Sequence, residues 1–169
     1  MGKSDQAPQD GLAFRDRVIE ADREHVRAVL EATGFFRPDE VAVGVELVGE
    51  RLAKGLASGY HFLFAEINGR VAGYTCYGPI ACTVHSYDEF WIAVHPDFQG
   101  RGVGKRLQER TEQAIRALGG RRVYIETSSR AQYEPTRAFY LACGCRIEAE
   151  LPDFYDEGDG KVVLLKVLG

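Results

Sequence analysis

The stretch from Phe90 to Leu118 constrains the fold more than any other part of the chain. An apolar strand, Phe90 to Val94, stops at His95-Pro96, and a glycine-rich step, Gln99-Gly100-Arg101-Gly102-Val103-Gly104, opens straight into an amphipathic helix. In that helix Val103, Leu107, Thr111, Ala114, Ile115 and Leu118 hold one face until Gly119-Gly120. A strand followed at once by a helix with one apolar stripe demands a sheet with helices laid upon it. With 169 residues, 45% apolar and 27% charged, the chain has enough material for one sizeable core and is not globally disordered.

The rest of the pattern agrees. Phe14 to Ile19 predicts a first strand. Asp22 is placed to cap a helix through Val26, Val29 and Leu30 that Gly34 ends, and Pro38 starts a second helix running to Lys54-Gly55. Tyr60 to Ile67, Asn68-Gly69 and Arg70 to Gly78 predict a hairpin, because Asn-Gly suits both left-handed positions of a type I′ turn. Arg122 to Thr127 predicts a strand, Pro135 to Ala142 a helix, and Cys145 to Leu151 and Lys161 to Val167 two closing strands around an acidic loop. The expectation is a mixed α+β or three-layer α/β/α domain over residues 13–169, after a loose polar tail at residues 1–12.

Charge and composition exclude several functions. A net charge of -4 argues against a module that binds nucleic acid through bulk positive charge. No apolar run approaches the roughly 18 residues that span a bilayer, so no membrane partner is expected. The polar first residues predict no secretory signal and hence a cytoplasmic location. Cys76, Cys82, Cys143 and Cys145 form no Cys-x-x-Cys and read as packed thiols, and Cys82-x-x-His85 has no second pair, so no metal is expected.

The glycine step lies where backbone N–H groups at a helix start face outward without partners. Glycine permits close backbone approach, the helix N-terminus favours an anion, and Arg101, Lys105 and Arg106 add positive charge there. A phosphate or pyrophosphate is the natural guest, with a plain tight turn as the bland alternative. It is not a Walker A loop, since Gln99 and Arg106 stand where glycine and Ser/Thr are needed. Nor is it the dinucleotide pattern, since Lys105 replaces the third small residue.

The run Phe90-Trp91-Ile92-Ala93-Val94 through Gly104 resembles the signature of the GCN5-related N-acetyltransferase superfamily, whose pyrophosphate loop Q/R-x-x-G-x-G/A is matched by Gln99, Gly102 and Gly104. Glu134-Pro135-Thr136-Arg137-Ala138-Phe139-Tyr140 followed by Gly144 resembles the same family's later helix. The resemblance covers roughly Tyr60 to the C-terminus. It implies a single mixed, mostly antiparallel sheet with a splayed parallel pair, and acetyl-CoA as cosubstrate. It further implies that Ile92, Ala93 and Val94 bond the pantetheine arm, and that Gln99, Gly100, Arg101, Gly102, Val103, Gly104 and Lys105 hold the pyrophosphate. Tyr133 stands where the family often has a coenzyme-contacting asparagine, a contact that Ser128, Ser129 or Arg130 could supply instead, and Cys145 stands where it has phenylalanine.

The family's chemistry assigns Tyr140 as the acid that protonates the departing thiolate, against a merely packed aromatic. Counting back from Gln99, Asp88 holds the position of the family's base, with Glu89 beside it on the opposite face; Glu126 and His85 remain alternatives. Pro152 to Asp159, with Asp153, Asp156, Glu157, Asp159, Phe154 and Tyr155, suits a cationic amine, or is a solvated hairpin loop. The expected activity is direct acetyl transfer to the primary amine of a small-molecule or amino-acid-like acceptor. The alternatives are a non-catalytic acyl-CoA-binding module, or a protein N-terminal or lysine acetyltransferase. A homodimer is left open.

Overall fold

The computed structural model describes residues 11–169. Its elements follow the predicted order: β1 (Leu12–Arg15), α1 (Asp22–Thr33), α2 (Pro38–Lys54), β2 (His61–Ile67), β3 (Arg70–Pro79), β4 (Ser86–Val94), α3 (Val103–Ala117), β5 (Arg122–Ser128), α4 (Glu134–Ala142), β6 (Arg146–Asp156) and β7 (Asp159–Val167). The strands hydrogen-bond in the order β1-β2-β3-β4-β5-β7-β6. β4 and β5 pair in parallel through Ser86↔Arg122, Tyr87↔Val123 and Asp88↔Tyr124, whereas β1–β2, β5–β7 and β6–β7 are antiparallel.

The chain folds as two compact units, and β3, β4 and α3 each contribute to both. The first contains residues 11–76 together with Trp91–Leu107. Its core joins Val26, Val29 and Leu30 of α1 and Val41, Val45 and Val48 of α2 to Phe62, Phe64, Tyr74 and Ala93 of the strands. The second unit contains Tyr77–Phe90 and Gln108–Gly169. Val123 and Ile125 of β5, Val162, Leu164 and Leu165 of β7, Ile115 and Tyr140 supply its buried side chains.

Several boundaries differ from expectation for local physical reasons. Of the predicted tail, residues 1–10 lie outside the described residues, and Leu12 is not tail but the buried first residue of β1. β1 stops at Arg15 rather than Ile19 because Arg15 turns to meet Asp22 and Glu66, each at 2.8 Å. Asp22 is the first residue of α1 instead of its cap. Its fully buried carboxylate accepts from the Ile19 amide at 2.8 Å, from both Arg15 guanidinium nitrogens, and bonds His25 Nδ1. The Asn68-Gly69 turn has φ of 50° and 76°, the two left-handed residues the hairpin requires.

The predicted acidic loop is mostly strand. β6 runs to Asp156 and β7 begins at Asp159, so only Glu157-Gly158 turns the chain. Pro152 fits there because β6 is an edge strand, where a missing N–H costs no ladder bond on the open side. Gly160 on β7 permits the close pairing, since a Cβ at that position would stand 2.8 Å from the Leu151 carbonyl oxygen.

Candidate active site

In the first unit, β4 ends at Val94 and the chain enters the glycine step through a short 3-10 turn, Pro96–Phe98. Two bonds hold the entry: the His95 amide donates to the Ala72 carbonyl at 2.8 Å, and Gln99 Nε2 donates to the Val94 carbonyl at 2.9 Å. Phe98 is buried under the step, with the Arg70 and Arg101 guanidinium groups 5.0 Å and 5.8 Å from its ring centroid. Gly100 and Gly102 both have φ of 74°, so left-handed backbone requires glycine at both positions. A Cβ added at either would meet nothing within 4 Å, so space lies open beside the backbone. The Arg106 amide bonds the Gly102 carbonyl at 3.1 Å, closing the first turn of α3, and that turn carries no acidic residue. Open space, a helix start and flanking cations fit a phosphate or pyrophosphate group.

In the second unit, Asp88, Glu89 and Phe90 of β4, Tyr124 and Glu126 of β5 and Tyr155 of β6 line a pocket of about 280 Å³. Burial raises the Asp88 carboxyl above its ordinary value, and the Glu126 charge raises it further against the opposing field of Lys161. Lys161 Nζ lies 2.9 Å from Glu126 Oε2 and 3.8 Å from the Phe154 ring centroid, so a cation already stands on one carboxylate and one aromatic at this end of β7.

Behind the pocket, the Tyr140 hydroxyl of α4 donates to Glu89 Oε1 at 3.1 Å, and both side chains are buried. Burial pushes the Glu89 carboxyl up to about 7, against the lowering effect of hydrogen bonds from Gln108 and Tyr140, and Glu112 raises it further. Burial and the neighbouring Glu89 push the Tyr140 phenol well above its ordinary value.

Of the residues singled out from sequence, Asp88 and Glu89 share the pocket and Tyr140 adjoins it through Glu89. Glu126 lines the pocket as well, whereas His85 is tied to the Gly119 carbonyl at 3.0 Å. Tyr133 ends the short turn before α4 and is half-buried, its amide donating to the Arg130 carbonyl at 3.0 Å. Cys145 is buried, its amide bonded to the Tyr140 carbonyl at 3.0 Å. Two aspartates of the closing hairpin serve that hairpin, and the third ties it to β5 and Arg130. Asp153 accepts from the Gly158 amide and Asp156 from the Glu157 amide, both at 2.8 Å, while Asp159 is buried on Ser128 and pairs with Arg130 at 3.2 Å.

Sequence reasoning missed Tyr124, Gln108 and the pocket-facing place of Phe90. Gln108, 1% exposed, and Glu112, 9% exposed, are an i,i+4 polar pair beside the apolar stripe of α3, and that polar insertion was the available signal. Among the described residues no group of three or more His, Cys, Asp or Glu is arranged to hold a metal ion, and no helix is long and apolar enough to cross a membrane.

The family model for the GNAT acetyltransferases matches residues 27–145, and the chain belongs to that family. An acetyltransferase of Pectobacterium atrosepticum is 34% identical over 64 residues, a match spanning 38% of this chain and 43% of that relative's length. Among solved structures, a chain from Desulfovibrio desulfuricans assigned to the GNAT family of acetyltransferases is 44% identical, with a TM-score of 0.92, over 94% of this chain and 99% of that one. An aminoglycoside 6′-N-acetyltransferase in complex with coenzyme A shares the fold at 17% identity, with a TM-score of 0.75, over 94% of this chain and 97% of that one.

Proposed function

We propose that the chain transfers acetyl directly from acetyl-CoA to the primary amine of a small cationic acceptor. The observation that carries the acceptor class is the pocket itself, where two carboxylates, Asp88 and Glu126, stand among Phe90, Tyr124 and Tyr155. Carboxylates and aromatic faces together attract an ammonium group. Family membership and the open glycine step at Gly100 and Gly102 support the coenzyme assignment.

The chemistry then divides among named groups. An ammonium acceptor must lose a proton before it can attack, and Asp88 takes it, its raised affinity for protons making it a better base than an exposed aspartate. The neutral nitrogen attacks the thioester carbonyl, and the departing thiolate takes the Tyr140 hydroxyl proton. Gln99 through Lys105 hold the coenzyme pyrophosphate, and Ile92, Ala93 and Val94 offer backbone groups to its pantetheine arm.

Thiol release from acetyl-CoA, followed over spermidine, lysine, glucosamine and short peptides with free N-termini, tests the reading. Saturable turnover is expected on the small cationic amines, with Asp88→Asn lowering kcat/KM by about 10²-fold. Tight coenzyme binding without turnover on any amine would instead make the chain an acyl-CoA-binding module. Turnover confined to peptides would make it a protein acetyltransferase.

A further inference from the structure

Lys161 of β7 stands at the acceptor pocket and has no part in the acid and base chemistry of Tyr140 and Asp88. Lysine is among the residue types most often left in water, yet this side chain is only 13% exposed. It lies across the sheet. Lys161 pairs with Ser128 of β5 and with Leu151 of β6, so Glu126 is its diagonal neighbour on the same face. Its ammonium donates to Glu126 Oε2 at 2.9 Å and sits 3.8 Å from the centroid of the Phe154 ring.

Glu126 and Tyr155, the residue after Phe154, line the pocket together with Asp88. A carboxylate and an aromatic face are what an ammonium group seeks, so the chain's own lysine fills a place built for a cation. The three charges share one field, since Glu126 raises the Asp88 carboxyl and Lys161 lowers it. Asp88 pairs with Tyr124, and Glu126 is two residues farther along β5. One strand spacing and two residue rises put roughly 8 Å between the Asp88 and Glu126 Cα atoms. A diamine with a five-carbon chain spans a comparable distance, and with Lys161 gone it would reach both carboxylates.

We propose that Lys161 is a specificity-determining residue, which fills the cation subsite of Glu126 and Phe154 and so limits the acceptor to one ammonium, held at Asp88. This deepens the acetyl-transfer reading and rests on the acceptor binding in this pocket. A second ammonium must displace Lys161 or face its charge, and in either case gains nothing over a neutral group. The preferred acceptors are therefore amines whose other polar groups are uncharged, such as amino sugars with a single amine, ahead of polyamines.

Cadaverine, the five-carbon diamine, and the amino alcohol of the same length differ by one ammonium and serve as probes. Their dissociation constants, measured by titration calorimetry in the presence of coenzyme A, should lie within about threefold of each other in the wild type. Lys161→Met keeps an unbranched side chain beside Phe154 and has no charge. There the diamine should bind about tenfold more tightly than the amino alcohol, through one ion pair and one cation–π contact. Lys161→Arg should keep the wild-type ratio, and adding Glu126→Gln to Lys161→Met should abolish the gain. A merely structural ion pair would weaken both probes alike, because a loosened hairpin does not tell an ammonium from a hydroxyl. Three results overturn the proposal: equal affinities in Lys161→Met, a tenfold preference for the diamine already present in the wild type, or no binding of either probe to either protein. Thiol release from acetyl-CoA with the same two amines separates the layers. A shifted ratio without turnover removes the transfer reading alone, whereas turnover with an unshifted ratio removes only the specificity role of Lys161.

Discussion

Asp88 of β4 stands opposite Tyr124 in the parallel pairing, and Glu126, two residues farther along β5, presents its charge to Asp88 inside one pocket. Removing that charge lowers the proton affinity of Asp88. In Glu126→Gln the Lys161 ammonium, freed of its partner, acts in the same direction. The acid limb of kcat/KM should therefore move to lower pH, while the kcat plateau changes little. A limb that stays in place would assign it to another group.

Gly102 holds a left-handed backbone with nothing near its missing Cβ. Gly102→Ala should cost about 1 kcal/mol of stability through strain alone. Coenzyme affinity should fall about tenfold or more, because a displaced amide forfeits a charge-assisted hydrogen bond. Titration calorimetry with coenzyme A checks this, and wild-type affinity in both Gly100→Ala and Gly102→Ala would place the pyrophosphate elsewhere.

Asp22 is buried and ionised. Burial alone would raise its carboxyl, but hydrogen bonds from Arg15, His25 and the Ile19 amide hold it below the ordinary value. Its contribution is present above the unfolded carboxylate range and is lost as pH falls through the lowered folded value. Asp22→Asn leaves Arg15 with Glu66 as its one acidic partner among the described residues and breaks the buried pair, which should cost about 3 kcal/mol in urea unfolding at neutral pH. A loss under about 1 kcal/mol would show the pair to be worth no more than a surface one.

Glu89 carries the opposite sign. Its folded value near 7 exceeds the unfolded 4.5, so the native state binds the extra proton between them. Its stabilising effect is complete below the unfolded value and disappears as pH rises through about 7. Unfolding free energy should decline from about pH 5 to 7, and Glu89→Gln should flatten that slope. An identical slope in the variant would mean the carboxyl titrates as an exposed group does.

Local pattern was sufficient where one segment decides its own structure. Asn68-Gly69 set the hairpin, Pro38 and Gly55 bounded α2, and the glycine step marked the loop before α3 because each rests on backbone conformations few residues adopt. Asp88, Glu89 and Tyr140 were legible as candidates from motif position. Their arrangement was not, because the Tyr140–Glu89 bond joins residues 51 apart in the chain. Tyr155 was named with its acidic run, but as loop: a run with Pro152 reads so, yet at a sheet edge it continues as strand and carries the ring to the pocket. Asp159 shows the converse, since its charge suggested a substrate contact and its partners are Ser128 and Arg130.

The central claim is that the Tyr140 hydroxyl delivers the proton to the coenzyme thiolate, and Tyr140→Phe tests it most directly because only the oxygen is removed. Steady-state rates should be measured across pH, together with the dissociation constant of acetyl-CoA. The account predicts a fall in kcat of about 10²-fold, the low end for acid catalysis with a good leaving group, and coenzyme affinity within about twofold of wild type. Near-wild-type kcat would contradict the claim and leave Tyr140 as a wall of the site.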